Sequence, residues 1–165
     1  MTTPLTVDIT MTAEAWRDLL PDAEAIVRRA AEAAWRSFAP AGATAEVSIL
    51  LADDETVRAL NKRHRGLDRP TNVLSFPIGA AAPGEGVPAM LGDVVLASGV
   101  VAREAAEQDK AVAAHLSHLV VHGVLHLLGY DHETDPEAER MEALEVQTLA
   151  ALGLPDPYRY REAAE

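Results

Sequence analysis

The sequence predicts a single α+β domain in which a small mixed sheet of about four strands packs with about five helices. Short runs rich in β-branched and apolar residues alternate with longer segments of helical spacing. One of those segments is apolar around most of its circumference, so it belongs at the centre of a domain. A chain of 165 residues is about the size of one domain, so we expect residues 1–165 to form a single unit.

The predicted elements are short and bounded by turn-forming residues. The predicted strands cover residues 6–9, 46–51, 73–76 and 92–96. The predicted helices cover residues 22–38, 53–66, 99–108, 111–128 and 134–152. Residues 78–92 are rich in Pro and Gly and show neither period, so we expect a loop there.

Several helix ends carry recognisable caps. Asp53 precedes a helix that Gly66 should end, because an aspartate accepts from the first turn and a glycine enters the left-handed cap. Thr134 and Glu137 form a possible capping box around Pro136, which the first turn of a helix tolerates.

The chain is acidic, with 14 Lys and Arg against 26 Asp and Glu and a formal net charge of −12. Such a balance repels polyanions, so any contact with nucleic acid must be local. Lys62, Arg63, Arg65 and Arg69 form the one clear basic cluster of the sequence. If a nucleic acid binds, we expect it to contact the chain there.

The sequence carries no sign of export. Residues 1–20 lack a basic start followed by an apolar core, and no stretch stays apolar for the roughly 18 residues that a membrane helix needs. Without cysteine the chain forms no disulfides, which fits a cytosolic protein but does not discriminate between compartments. We expect a soluble, cytoplasmic protein.

Three histidines are spaced so that they can bind one metal ion. His122 and His126 lie four residues apart on the apolar helix, which places both imidazoles on one face. Gly129 stands where that helix should end, and the returning chain can deliver His132 as a third ligand. Three neutral imidazoles leave one tetrahedral position for water, as in catalytic zinc sites, although nickel or copper would also bind. The segment predicts a catalytic metal site that favours anionic substrates.

The polar stripe of this helix continues towards its N-terminus. His115 and His118 fall within about 80° of the two helical ligands at roughly 100° per residue. We expect His118 to be a hydrogen-bonded neighbour of the ligands, with substrate contact or proton transfer as the alternative. We assign no chemistry to His115.

The same spacing occurs in the metzincin proteases, which carry a glutamate directly after the first histidine as general base. Here Gly123 takes that position, so a peptidase would need its base from elsewhere. A further alternative is that the histidines hold no metal. Three of them at this spacing around a glycine argue against it.

Three segments carry a family resemblance. They are His122-Gly123-Val124-Leu125-His126-Leu127-Leu128-Gly129-Tyr130-Asp131-His132, the run 65–77 together with Asn61, and Leu91-Gly92-Asp93-Val94. In these segments the chain resembles the YbeY family of bacterial metal-dependent endoribonucleases and ribosomal-RNA maturation factors. The resemblance extends from Val47 to Tyr158, whereas the residues before it and the loop 78–89 carry no specific family feature.

The resemblance implies a single-strand-specific, zinc-dependent endoribonuclease that matures the 3′ end of small-subunit 16S ribosomal RNA and acts in ribosome quality control. It implies one zinc-type ion on His122, His126 and His132 as catalytic ligands, and a role for Arg65 in RNA cleavage or phosphate binding. The implied partners are precursor ribosomal RNA and the ribosome, with ribosomal proteins or a ribosome-associated GTPase in addition.

The chemistry of Arg65 is compatible with the role that the resemblance implies. A guanidinium donates to phosphate oxygens in a fork and keeps its charge, so Arg65 could hold the scissile phosphate while the metal polarises it. Taken alone, the residue would be interpreted as a solvated cation near the end of a helix.

Two other functions stay open. One is another metallohydrolase, such as a peptidase, which would need a carboxylate base that the motif lacks. The other is a ribosome-associated binding factor with a mainly structural metal, because a charge of −12 suits basic ribosomal proteins better than bare RNA. Asp93 and Asp131 could orient a ligand imidazole or form turns. Asn72 and Ser75 are not assigned to the site.

Overall fold

The computed structural model describes residues 5–39, 41–78 and 90–159 of the chain. Within these ranges four strands and six helices follow one another. In chain order they are β1 (Leu5–Met11), α1 (Ala15–Leu19), α2 (Ala23–Phe38), β2 (Ala45–Ala52), α3 (Asp54–Arg65), β3 (Val73–Pro77), β4 (Met90–Ala97), α4 (Ser98–Glu107), α5 (Val112–Leu127) and α6 (Asp135–Ala151).

The described strands form one mixed sheet in the order β1-β2-β4-β3. β1 is parallel to β2 and β2 is parallel to β4, whereas β3 runs antiparallel to β4 along one edge. Parallel neighbours cannot be joined by a tight hairpin, and helices lie between them in the chain. The prediction of an α+β fold with a small mixed sheet is confirmed.

The sheet has an apolar core on each face. Val47, Ile49 and Leu51 of β2 belong to the larger core, to which α2, α5 and α6 contribute. The smaller core joins α3 to the opposite face, and its buried members are Ala52, Val57, Leu74, Val95 and Ala97. α5 packs against α2, α6, β3 and β4, and its Val120 and Val124 are fully buried. The expectation that the histidine-bearing helix is central is therefore confirmed.

The predicted caps are present. Asp53 accepts a hydrogen bond from the backbone N–H of Thr56 at 2.8 Å, and Gly66 ends α3 with a φ of 72°. At the start of α6 the hydroxyl of Thr134 accepts from the backbone N–H of Glu137 at 3.3 Å. The carboxylate of Glu137 accepts from that same hydroxyl at 2.8 Å and not from the backbone N–H of Thr134, so only one half of the predicted capping box is formed.

The helix α1 was not predicted. It is 5 residues long, too short to display a helical period in the sequence. Its place depends on Trp16, which is fully buried and whose indole N–H donates to the carbonyl of Ala52 at 2.8 Å. A tertiary contact, and not local periodicity, therefore accounts for α1.

The predicted loop 78–92 overlaps the start of β4, so its C-terminal boundary is wrong. Met90 and Gly92 pair with the consecutive β2 residues Glu46 and Val47, so the register shifts by one residue there. On its other side Gly92 pairs with Pro77 of β3. Gly92 has a φ of 137°, and a Cβ there would lie 2.2 Å from the carbonyl oxygen of Phe76. This glycine therefore serves an irregular strand pairing and not a loop. The rest of the predicted loop, residues 79–89, lies outside the described residues.

α5 crosses β4 at Gly123. A Cβ atom there would lie 2.9 Å from Cγ1 and 3.2 Å from Cγ2 of Val94, closer than carbon atoms normally pack. The helix backbone consequently rests directly on the sheet. In the described part of the chain, no helix combines the length and the apolar character that crossing a membrane requires.

Replacing Gly123 by alanine should lower the free energy of unfolding by about 1–3 kcal/mol, the usual cost of overpacking a core. The higher helix propensity of alanine acts in the opposite direction by roughly 1 kcal/mol, so a net loss must come from the contact with Val94. Chemical denaturation of G123A, V94A and the double variant measures this coupling. We expect Val94→Ala to cost less in the G123A background than in the wild type. Equal costs in the two backgrounds would contradict the close contact.

Candidate active site

The structure gathers the three predicted histidines at the C-terminal end of α5. His122 and His126 lie one turn apart and are half-buried, whereas His132 is exposed beyond the turn at Gly129, whose φ is 104°. The ring of His132 lies 5.5 Å from that of His122 and 6.1 Å from that of His126, measured between centroids. Helix spacing and a left-handed glycine therefore bring together side chains that come from different elements.

Two of these rings have one nitrogen already hydrogen-bonded. Nδ1 of His122 lies 2.9 Å from Oε2 of Glu145, and Nδ1 of His126 lies 3.1 Å from the carbonyl oxygen of Tyr130. Carbonyl and carboxylate oxygens only accept, so both Nδ1 atoms carry the proton. Burial lowers the pKa of His126, which favours its neutral form. With the proton on Nδ1, the neutral form of either ring has its lone pair on Nε2, where a metal would bind.

The three imidazoles are chemically suitable as metal ligands, but their rings lie too far apart in the structure to bind one ion. Three imidazoles bound tetrahedrally through one nitrogen each would have centroids about 5 Å apart. As the side chains stand, no group of three or more His, Asp or Glu residues within 5–39, 41–78 and 90–159 could hold a metal ion. The rings must draw together to become ligands. His132 is exposed, so packing constrains it least.

A buried carboxylate lies behind the first histidine. Glu145 of α6 is 1% exposed, and besides His122 it contacts His118 and Tyr158 through Oε1, each at 2.5 Å. Burial raises the pKa of Glu145, but the hydrogen bonds from His118 and His122 outweigh burial and lower the pKa to about 2. Glu145 is therefore an ionised carboxylate in the protein interior, surrounded by donors.

The sequence interpretation missed Glu145, although a signal was present. Met141, Glu145 and Leu149 follow one another at intervals of four, so they share one face of α6. Met141 and Leu149 are both buried in the larger core. A glutamate between two core positions predicts a buried carboxylate that needs a partner. Tyr158 gave no such signal, because it lies beyond α6.

A second histidine–carboxylate pair lies further along α5. Nε2 of His115 is 2.9 Å from Oε1 of Glu104, which also accepts from Nδ2 of Asn72 at 2.9 Å. His115 is 4% exposed, and its burial lowers its pKa despite the opposing effect of Glu104. Asn72 thus contacts the carboxylate that binds His115, and its exclusion from the site stays a prediction.

Arg65 lies at the end of α3 and is exposed. Among the residues that the structure describes, its side chain makes no hydrogen bond or ion pair and none joins it to the three histidines. α3 covers the sheet face opposite to α5 through Val57, while the ring of His64 lies 5.0 Å from that of Phe76 on the edge strand β3. The catalytic role of Arg65 stays a prediction.

The remaining candidate residues have local roles or none. The carboxylate of Asp131 accepts a hydrogen bond from the backbone N–H of its neighbour His132 at 2.8 Å, a contact typical of turns. Asp93 is exposed on β4, and Ser75 lies opposite Val94 in the β3–β4 register. None of these contacts a ligand imidazole by a described side-chain hydrogen bond.

The position that bears the general base in metzincins is unsuitable for a base here. Gly123 faces Val94 and the sheet. His122 and His126 bond to Glu145 and Tyr130 through Nδ1, so their Nε2 atoms point away from those partners. A carboxylate at position 123 would be buried in the core. The structure thus adds a steric argument against proteolysis by that mechanism.

The lowered pKa of His115 predicts a pH dependence of stability. The unfolded histidine titrates near 6.5, above the folded pKa, so its contribution is fully present above that pH and is lost as the pH falls below it. The free energy of unfolding of the wild type should therefore fall more steeply than that of His115→Gln between about pH 7 and 5, by at most about 1.4 kcal/mol per unit. Urea denaturation across this range measures it. His64→Gln, at an exposed site, is the control, and identical slopes for wild type and H115Q would refute the prediction.

Known proteins match the chain along nearly its whole length. The family model described as Endoribonuclease YbeY matches residues 10–153. Endoribonuclease YbeY of Bradyrhizobium sp. (strain BTAi1) is 49% identical over 160 residues, which cover 95% of this chain and 94% of that protein. Endoribonuclease YbeY of Bradyrhizobium diazoefficiens is 50% identical over 162 residues, which cover 96% of this chain and 87% of that protein.

Among solved structures, the solution structure of TM1509 from Thermotoga maritima aligns with 89% of this chain and 91% of that one, with 23% identity and a TM-score of 0.49. The sequence relatives are much closer. They confirm the resemblance carried by the three sequence segments. On the family model and these relatives, the chain belongs to the YbeY endoribonuclease family.

Proposed function

We propose that this chain is a zinc-dependent endoribonuclease whose metal is held by Nε2 of His122, His126 and His132. Membership of the family makes it an endoribonuclease, an enzyme that breaks phosphodiester bonds in RNA. The observation that supports the metal assignment is the pair of Nδ1 hydrogen bonds, which leave two Nε2 lone pairs free beside the ring of His132. Nickel or another divalent transition metal would suit the same donors.

The proposed site offers positive charge to an anionic substrate. When bound, the metal supplies a Lewis acid for a phosphoryl oxygen or a hydroxide for attack. Neutral imidazoles do not offset its charge, and no carboxylate belongs to the ligand set. His122 and His126 are half-buried while His132 is exposed, so the phosphate approaches from the His132 side.

Arg65 is the proposed partner for the phosphate. Its guanidinium has no hydrogen bond or ion pair within the described residues, so both of its donor edges are available to oxygen acceptors. Lys62, Arg63 and Arg69 are exposed in the same segment, whereas Arg58 is paired with Asp68 at 2.8 Å. In a chain of charge −12, this cluster is where the phosphates of an RNA backbone would be attracted most strongly.

The proposed cellular substrate is single-stranded precursor ribosomal RNA, at the 3′ end of the 16S molecule, with a further part in ribosome quality control. This assignment rests on the resemblance in the three signature segments and on membership of the family. With this substrate we also propose a cytoplasmic location, the ribosome as partner, and ribosomal proteins or a ribosome-associated GTPase as additional contacts.

A binding factor with a mainly structural metal is the second candidate. The acidic balance favours it, because a charge of −12 attracts basic ribosomal proteins over a wide surface. The two functions are compatible in one protein. Only cleavage requires the open coordination position and Arg65.

RNA cleavage by metal-loaded protein tests the proposed site. With a small-subunit RNA fragment extended past its mature end, we expect His126→Ala to abolish detectable cleavage and Arg65→Ala to lower kcat roughly 100-fold, as for loss of a charge-stabilising donor. Arg36→Ala is the matched control, because Arg36 is also an exposed arginine in the last turn of a helix. Gel assays at fixed salt give the rates.

The outcomes separate the candidate functions. Cleavage that survives both H126A and R65A would reject the site. An equal loss of kcat in R36A would show that Arg65 acts only through its general contribution to the charge of the protein. Cutting of an unstructured protein but not of RNA would favour a peptidase. Retention of a ribosomal protein without any cleavage would favour the binding factor.

The turn at Gly129 predicts a selective loss of zinc affinity. An alanine at a φ of 104° costs about 1–2 kcal/mol in backbone strain, and relief of that strain moves His132 away from the other ligands. Calorimetric titration of metal-free protein with zinc should show binding roughly tenfold weaker in Gly129→Ala. Gly66→Ala, with a similar strain at a φ of 72°, should lose stability but keep zinc affinity. Equal affinities in the two variants would exclude His132 as a ligand positioned by this turn.

A further inference from the structure

We propose that Glu145 is a positioning residue that fixes the proton of His122 on Nδ1 and thereby keeps the Nε2 lone pair of that ring directed to the metal. The inference rests on the metal site of the proposed function. It concerns a residue of α6 that touches neither substrate nor metal, and it acts through His122.

The arrangement around Glu145 is asymmetric. Its Oε2 faces Nδ1 of His122 at 2.9 Å. Its Oε1 faces two donors, Nε2 of His118 and the hydroxyl of Tyr158, each at 2.5 Å. The side chain is 1% exposed, so water does not replace any of these partners.

This geometry selects one tautomer of each histidine. An ionised carboxylate has no proton to donate, so each ring nitrogen that faces it must carry one. For His122 the proton lies on Nδ1 and the lone pair on Nε2. A ring proton held by a carboxylate also makes the opposite nitrogen a more basic ligand. The opposite tautomer would leave two lone pairs facing each other inside the protein.

His118 and Tyr158 hold the carboxylate in place for that task. The ring of Tyr158 packs edge-on against the ring of His118, with centroids 5.3 Å apart. The backbone N–H of Tyr158 donates to Asp156 at 2.8 Å, which fixes the segment that carries the hydroxyl. Oε1 is therefore anchored from two sides, and Oε2 is left for His122.

A role in folding alone is the competing explanation, because removing a buried charge that is paired destabilises a protein whatever its function. The chain offers a control carboxylate, Glu104, whose side chain is 29% exposed against 1% for Glu145. Glu104 also binds a histidine of α5, His115, at 2.9 Å, but His115 is not a predicted ligand. Substitution of Glu104 reproduces the loss of a carboxylate–histidine pair without touching His122.

Glu145→Gln is the decisive variant. A glutamine has the same shape but one oxygen, which stays on the side of the two donors His118 and Tyr158. Its NH2 group then faces His122 and forces the ring proton onto Nε2. We expect zinc binding to weaken roughly 10- to 100-fold in E145Q, the usual range for the partner of a ligand histidine, and to stay within about twofold in E104Q.

A second measurement needs neither metal nor activity. Nitrogen-15 NMR of metal-free protein at about pH 8, above the usual histidine pKa, reports which ring nitrogen carries the proton. We expect the Nδ1–H form of His122 in the wild type and in E104Q, and the Nε2–H form in E145Q.

The results decide between the interpretations. Unchanged zinc affinity in E145Q, or an equal loss in E104Q, would overturn the proposal. An Nε2–H form of His122 in the metal-free wild type would also overturn it, even if E145Q did not fold. If the wild type bound no zinc, the proposed metal function would fail, and the tautomer in E145Q would still decide whether Glu145 sets the proton of His122.

Discussion

The absence of a side chain at Gly123 is the constraint on which the rest of the structure depends. Because Gly123 has no Cβ, the backbone of α5 packs directly on Val94, and the helix lies between the sheet and the helices α2 and α6. Most residues of a helix so enclosed are buried, so its polar groups need partners within the protein. The stripe of histidines is therefore forced into specific hydrogen bonds, and this converts a row of polar residues into an ordered site.

The partners of those histidines come from elsewhere in the chain. Glu104 belongs to α4, Glu145 to α6 and Tyr158 to the segment after α6, whereas only Tyr130 lies within the same local segment. Glu104, which is partly exposed, accepts from two groups, whereas the buried Glu145 accepts from three, and these hydrogen bonds make the burial of its charge tolerable. The site is thus a tertiary arrangement around α5, although its predicted ligands lie within one short stretch of sequence.

Local physics could be predicted from the sequence, because it depends on neighbours along the chain. The capping aspartate, the left-handed Gly66, the Thr134 cap and the gathering of three histidines all follow from spacing and residue type. Non-local contacts could not be predicted. Nothing near Trp16 indicates that its indole bonds to Ala52, and the irregular pairing at Gly92 depends on a neighbouring strand.

Glu145 lies between these two cases. Its place among apolar residues at intervals of four was visible, but which histidines it would meet was not, because that depends on how α6 crosses α5. For Arg65 the opposite holds. Its residue type and its segment matched a family signature, but α3 and α5 lie on opposite faces of the sheet, and the sequence did not indicate how far this separates Arg65 from the histidines.

The position of Tyr158 in the chain gives the site an order of assembly. During synthesis the histidines of α5 emerge before α6 delivers Glu145, and the third donor to that carboxylate follows later still. A nascent chain that has only reached α5 has no carboxylate facing Nδ1 of His122, and its larger core lacks the last helix. The contact that fixes the ring of His122 forms only when the later segments dock, so the site is completed last, by parts of the chain that are made after the histidines.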